Sequence, residues 1–247
     1  MLTTPPSQEV HVAIEPGFAW DAQNAYLFDI DGPLLRSRDR IHVGSFASSV
    51  QRVTGFEITL EGIVLQGATD TAILREACQR AGIPADVMEQ QTEAILAAMC
   101  NAVAEQRHAL DLIRMPGVET VLAHLAAKGA LLGVASGNLE AIGWIKIEQA
   151  GLREWFRFGG FSDRFSIRPE LIGHAASKAR EMAGLGGNAS VCVVGDTPRD
   201  IEAARANRLP VIAVATGRSS FDELNELRPE VCASSLADLL AQTRTAS

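Results

Sequence analysis

Four short runs of almost unbroken Val, Leu, Ile and Ala constrain this chain more than any other feature. They are Ala25-Tyr26-Leu27-Phe28, Ala130 to Ala135, Val191-Cys192-Val193-Val194 and Val211 to Ala215. Each stops at a polar or glycine-bearing cluster: Asp29-Ile30-Asp31-Gly32-Pro33, Ser136-Gly137-Asn138, Gly195 to Asp200, and Thr216-Gly217. Runs this short, bounded by turn signals, read as strands buried on both faces. Between them lie the helical stretches Val118 to Lys128, Leu139 to Ala150, Pro169 to Met182 and Ile201 to Ala206, with Phe158 to Phe161 as a further short strand. Strands alternating with helices predict a parallel sheet covered on both sides, a doubly wound, Rossmann-like α/β core. Ligands bind such a sheet beyond the carboxyl ends of its strands, where every one of these polar clusters stands.

The stretch from Arg36 to about Asp111 breaks the alternation. Helical patterns such as Thr71 to Ala81 and Val87 to Val103, with hardly any strand signal, predict an inserted all-helical cap. The expected division is residues 1–35 and 112–247 for the core and 36–111 for the cap. A chain of 247 residues, 47% of them hydrophobic, has enough apolar material for both. The net charge of −8 leaves no basic field for a polyphosphate backbone, so nucleic acid is not an expected partner, whereas small anions are allowed. No apolar run nears the roughly 20 residues of a membrane span. Met1 to Gln23 holds Glu9, Glu15 and Asp21 but neither a basic n-region nor an apolar h-region, so no export signal is expected. Cys78, Cys100, Cys192 and Cys232 form no CxxC, and three lie among apolar neighbours. That fits a reducing compartment, and a cytoplasmic monomer or homodimer is the expectation.

The strand tips supply Asp29 and Asp31, then Ser136, then Asp196 and Asp200. Gathered at one sheet edge, such carboxylates repel by about 3 kcal/mol per pair, at about 5 Å and an effective dielectric of about 20. A hard divalent cation answers that repulsion, and Mg²⁺ favours a few carboxylates plus water and a substrate phosphate. No His or Cys cluster offers a zinc-like alternative. Alternate residues of an extended segment project the same way. Asp29 could therefore attack a phosphorus while Asp31 gives a proton to the leaving oxygen and later takes one from water. Ser136, with the N–H groups of Gly137 and Asn138 at an expected helix start, would hold the phosphoryl oxygens.

Phe28-Asp29-Ile30-Asp31-Gly32, Ala135-Ser136-Gly137-Asn138 and Val194-Gly195-Asp196-Thr197-Pro198-Arg199-Asp200 resemble motifs I, II and IV of the haloacid dehalogenase superfamily, in that order. The resemblance spans roughly Ala25 to Gly217, and the helical insert resembles the C1 cap of the phosphoglycolate-phosphatase-like branch. It implies Asp29 as nucleophile and Mg²⁺ ligand, and Asp31 as acid/base whose backbone carbonyl also meets the metal. It further implies Asp196 as the third ligand, Asp200 orienting metal-bound water, and Ser136 with Gly32, Gly137 and Asn138 around the phosphoryl group. Dehalogenase members lack the second Asp, so Asp31 points to a phosphatase acting on a small phosphorylated metabolite, phosphoglycolate-like or a sugar phosphate. A phosphomutase on the same core, or a phosphate-binding protein with little turnover, are the alternatives. A phosphonatase would need a cap lysine, and Arg36 to Asp111 contains none.

Two departures stand out. Pro33 replaces the usual Thr of motif I and lacks its donors. The motif III lysine has no match, which leaves Arg168, followed by Pro169, as the best counterpart and Lys178 as a weaker one; arginine keeps the charge with a different geometry. Arg36, Arg38, Arg40 and His42 read as a solvated hinge, or one of them as the contact for an anionic substrate end. Asn138 suits the N-cap of the following helix, and Gly67 to Asp70 either an N-cap or a cap loop facing the site. His108, His124 and Trp144 read as packing or surface residues.

Overall fold

The computed structural model describes residues 11–184 and 188–245; the N-terminal reading rests partly on residues 1–10, which lie outside these. Strand β2 (Ala25–Phe28) is buried at every position, with Tyr26 and Phe28 in one apolar cluster and Ala25 and Leu27 in another. Opposite faces of one strand thus enter two separate cores, which is why its sequence is a continuous apolar run. Strands β5 (Leu131–Ala135) and β7 (Val191–Gly195) flank it in parallel, followed outward by β6 (Phe158–Gly160) on one side and β8 (Val211–Val214) on the other. Helices α4 (Val118–Ala127), α5 (Glu140–Gln149) and α9 (Leu236–Thr245) contribute to the first cluster, and α6 (Arg168–Met182) and α7 (Pro198–Ala206) to the second.

The sheet order is β1-β9-β8-β7-β2-β5-β6. After β2 the chain works outward through β5 and β6, then returns to β7 on the other side and continues to β8 and β9. The switch point lies at β2, and the crevice opens at its carboxyl end. Strands β1 (Val12–Ile14) and β9 (Val231–Ala233) extend the sheet beyond the sequence-based expectation, with β1 its antiparallel edge. Helix α8 (Phe221–Glu226) packs near them.

Between β2 and β5 stand α1 (Ile41–Thr54), α2 (Asp70–Arg80) and α3 (Ala85–Glu105), with α1 packed along α3. As expected, the insert holds hardly any strand. Strands β3 (Leu35–Ser37) and β4 (Leu112–Arg114) pair antiparallel where the chain leaves and re-enters the core. Phe46, Ile73, Met99 and Val103 of the insert share an apolar cluster with Leu139, Ile142 and Ile145 around α5, so the helical unit sits on the core over apolar surface. Cys78, Cys192 and Cys232 are buried free thiols, and Cys100 is partly exposed. Among the described residues no helix is long and apolar enough to cross a membrane.

Candidate active site

The parallel ladder continues one residue past β2, where the Asp29 N–H donates to the Val194 carbonyl at 2.9 Å. Asp29 is thereby fixed, buried, at the carboxyl end of the central strand. Its Oδ1 accepts from the Ile30 N–H at 2.7 Å and its Oδ2 from the Arg168 guanidinium at 2.6 Å. Arg168, the first residue of α6, also donates through Nε and Nη2 to Asp200 Oδ1 at 3.0 and 2.6 Å. Its Nη1 meets the Gly67 carbonyl of the cap loop at 3.3 Å. Lys178 is exposed further along α6, so of the two basic candidates it is Arg168 that reaches the carboxylates.

Asp200 is held from the other side. The Thr197 N–H and Oγ1 both donate to its Oδ2, at 3.0 and 2.6 Å, in a reciprocal capping box that starts α7 at Pro198, three residues ahead of the sequence expectation. One carboxylate thus serves as helix cap and as partner of Arg168. Asp196, just past β7, is buried, and its Oδ1 has no hydrogen-bond partner among the described residues. Asp29, Asp196 and Asp200 each offer an oxygen lying within 4.8 Å of the others. Gly32 has φ +117°, and a side chain there would run into the Asp196 carboxylate. The Gly32 N–H donates to the Leu35 carbonyl at 2.8 Å and its carbonyl accepts from Thr216 Oγ1 at 2.9 Å, so both polar groups serve the loop. The Leu35 N–H closes the same turn on Ile30, with no donor required from Pro33.

Three carboxylates face one guanidinium, a surplus of two negative charges. Burial drives the Asp29 pKa up against the pull of Arg168, with Asp200 pushing the same way as burial. Asp196 is raised by burial and then by Asp200 and Asp29. Arg168, in spite of burial, is held protonated by Asp200 and Asp29. An orphaned buried carboxylate oxygen, an all-oxygen donor set and two uncompensated charges fit a hard divalent cation.

Asp31 belongs to a second network. Lys146 Nζ donates to both its oxygens, at 2.9 and 2.7 Å, and Asn138 Nδ2 to its Oδ2 at 2.8 Å. Lys146 also donates to Asn138 Oδ1 at 2.9 Å. Desolvation pushes the Asp31 pKa up, yet the Lys146 charge and the hydrogen bonds from Lys146 and Asn138 bring it below the ordinary value. The Asp31 side chain is 42% exposed and can still exchange a proton with a ligand, whereas Lys146 is 3% exposed. The sequence reading passed over Lys146. Its signal is positional: it lies four residues after Ile142 on the buried side of α5, among Ile145 and Ile147.

Ser136 continues β5 by donating its N–H to Gly160 at 3.0 Å, its hydroxyl oxygen accepts from Asn138 Nδ2 at 2.8 Å, and its hydroxyl opposes the upward shift of the Asp29 pKa. Asn138 is not the N-cap of α5. Leu139 holds that position, and Asp163 Oδ2 accepts the first helical N–H, from Glu140, at 2.7 Å. The Gly137 carbonyl accepts the Asp70 N–H at 2.7 Å, and a side chain on Gly137 would collide with the Ala68 carbonyl of the cap. Asp70 Oδ2 accepts from the Leu139 N–H at 2.8 Å and lies 3.0 Å from His42 Nε2. Thr69 caps α2 and donates to the Ser166 carbonyl at 2.8 Å, so this segment is both an N-cap and a contact with the core. Arg36, Arg38 and Arg40 are exposed, as a solvated hinge requires, with Arg36 also donating to the Thr216 carbonyl at 2.9 Å; His42, 13% exposed against Asp70, is the member of the run that departs from that reading. Asp29, Asp31, Asp196, Ser136, Lys146 and His42 are among the residues that line a cavity of about 610 Å³ between core and cap.

Residues 26–214, from β2 to β8, match the family described as haloacid dehalogenase-like hydrolase. A phosphoglycolate phosphatase of Mesorhizobium japonicum is 33% identical over 102 residues, 41% of this chain and 44% of that protein, so the match spans less than half of the relative's length. The fold resembles that of a predicted phosphoglycolate phosphatase from Haemophilus somnus, with a TM-score of 0.62 and 18% identity over 90% of this chain and 98% of that one. It likewise resembles a predicted phosphatase from Clostridium acetobutylicum, with a TM-score of 0.62 and 20% identity over 91% and 99% of the two chains. The family match covers more than half of the sequence and takes in every residue of the carboxylate cluster: the chain belongs to the haloacid dehalogenase-like hydrolase family.

Proposed function

We propose that this protein is a Mg²⁺-dependent phosphatase that hydrolyses a small phosphomonoester through a phosphorylated Asp29. The observation that carries the reading is the convergence of Asp29, Asp196 and Asp200 around Arg168 at the carboxyl ends of β2 and β7, beside Ser136. The curated phosphoglycolate phosphatase relative supports the reaction class.

Asp29 and Asp196, with the Asp31 carbonyl as the family resemblance implies, would hold Mg²⁺, which when bound supplies charge neutralisation at the phosphoryl oxygens. Asp200 orients groups at that site through its bond to Arg168. An Asp29 oxygen attacks phosphorus, the bond from phosphorus to the ester oxygen breaks, and Asp31, having first taken up a proton from solvent or from the substrate monoanion, passes it to the departing oxygen. In the second step Asp31 takes a proton from water, the water oxygen attacks phosphorus, and the Asp29–phosphorus bond breaks. The Lys146 pair favours the carboxylate form of Asp31 that this second step needs. Ser136, Gly137, Asn138 and Arg168 surround the phosphoryl group, with Gly32 giving room to Asp196. Residues 1–35 and 112–247 act as the core and 36–111 as a cap whose closure excludes water from the first step. The partner is a small phosphorylated metabolite rather than nucleic acid or membrane, for a cytoplasmic monomer or homodimer.

Phosphate release is to be measured across phosphoglycolate, sugar phosphates and nucleotides, with Mg²⁺ and with a chelator. Release that needs Mg²⁺ and drops at least a thousandfold in Asp29→Asn is expected; release that survives in that variant sinks the reading. A phosphomutase would isomerise a substrate without net release, and a mere phosphate binder would show affinity without product.

A further inference from the structure

The cavity above the carboxylates is asymmetric in chemistry. Its floor carries Asp29, Asp31, Asp196 and their partners, whereas the cap wall presents Val43, Val64 and Leu65 over the nearly buried Phe46, Ile63 and Ile73, with Asp39, His42, Gln66 and Asp70 as its polar members. Val64 is 63% exposed, and an apolar side chain left open within a ligand cavity gains when something apolar covers it. The volume of about 610 Å³ falls in the range of roughly 300–1,000 Å³ usual for sites that enclose an organic ligand.

The charge inventory points the same way. Four basic residues line the cavity: His42, Lys146, Arg168 and Arg218. Lys146 is committed to Asp31, Arg168 to Asp29 and Asp200, and His42 to Asp70. Arg218 is exposed on the core loop after β8, where a solvent-screened pair is worth little. The cap's share of the lining holds two carboxylates, Asp39 and Asp70, against the single His42. A substrate carboxylate lying there would meet like charge, and the lining cation with no ion pair among the described residues, Arg218, belongs to the core loop rather than to the cap.

We infer that the part of the substrate beyond its phosphate is uncharged and largely apolar, an alkyl or aryl phosphate rather than a small acid with a second anionic group such as phosphoglycolate. The inference rests on the phosphatase reading for which end reacts, but its test needs only binding. Calorimetric titration of the full chain with Mg²⁺ present compares ethyl-, propyl-, butyl- and hexylphosphonate with phosphonoacetate, which adds a carboxylate at similar size.

Affinity should rise about three- to fourfold per methylene, the worth of burying one CH₂ group, and phosphonoacetate should bind more weakly than propylphosphonate. Val64→Ser, at an exposed position with little risk to folding, should lower the ratio of hexyl- to ethylphosphonate affinity about threefold. Equal affinities along the series, or phosphonoacetate as the tightest ligand, overturn the assignment. Phosphonates that bind in the expected order beside alkyl phosphates that release no phosphate would leave the apolar wall assigned and defeat the phosphatase reading instead.

Discussion

Arg168 settles two neighbouring carboxylates with one fork of donors, and it does so at nine-tenths burial or more. Arg168→Met strands Asp29 and Asp200 side by side, and breaking a buried pair from one side costs about 3–5 kcal/mol. Urea unfolding without Mg²⁺ should show that loss, and phosphate release should fall at least a hundredfold. Arg168→Lys restores the charge without the fork and should recover most of the stability. At this scale the sequence was legible where chemistry is local: Asp29 and Asp31, Ser136, and Asp196 and Asp200 each stand directly behind an apolar run. Lys146 was not, because a lysine inside a helix ordinarily faces water, and what turns this one inward is a carboxylate 115 positions earlier in the chain. Asn138 went astray for a related reason. Its Nδ2 is spent on Asp31 and Ser136, and its Oδ1, the atom a cap would use, accepts from Lys146.

Among the elements, β2, β5, β7 and β8 announced themselves because strands buried on both faces must be apolar throughout. The three-residue strands β1, β3, β4 and β9 are too short for any period to register and, unlike the equally short β6, do not fall within the alternation of strand and helix; partners far along the chain define them. A similar long-range tie joins the segment before β2 to α4, where Asp21 Oδ2 meets His124 Nε2 at 2.7 Å and Lys128 Nζ at 2.6 Å. His124 also stacks on Trp20, more than the packing or surface role expected of it. Burial raises the Asp21 pKa, but hydrogen bonds and charge from Lys128 and His124 leave it below the unfolded value of 3.8. A depressed carboxylate pKa contributes stability that is present above the unfolded pKa and lost as pH falls through the folded one. Melting curves of wild type and Asp21→Asn should differ most near pH 6 and converge as the pH drops below 3.8. A gap that widens in acid would contradict this sign.

Across the whole molecule, the helical insert and the core meet through two kinds of contact: the apolar cluster centred on α5, and the polar seam of Asp70, Gly137, Leu139 and Arg168. Both surround the cavity, so seating the cap and shaping the ligand space are one event. The insert's existence was legible from the break in alternation, but its seating was not, since Ile142 and Ile145 read equally well as core of either unit. The account turns on Asp29 becoming phosphorylated, with the other acidic side chains gathered around it. Turnover with Mg²⁺ quenched by borohydride, which reduces an acyl phosphate to an alcohol, followed by peptide mass spectrometry, reads this directly. Homoserine at position 29 is the predicted product; phosphate release with residue 29 still recovered as unmodified aspartate, or with the modification at another residue, would contradict it.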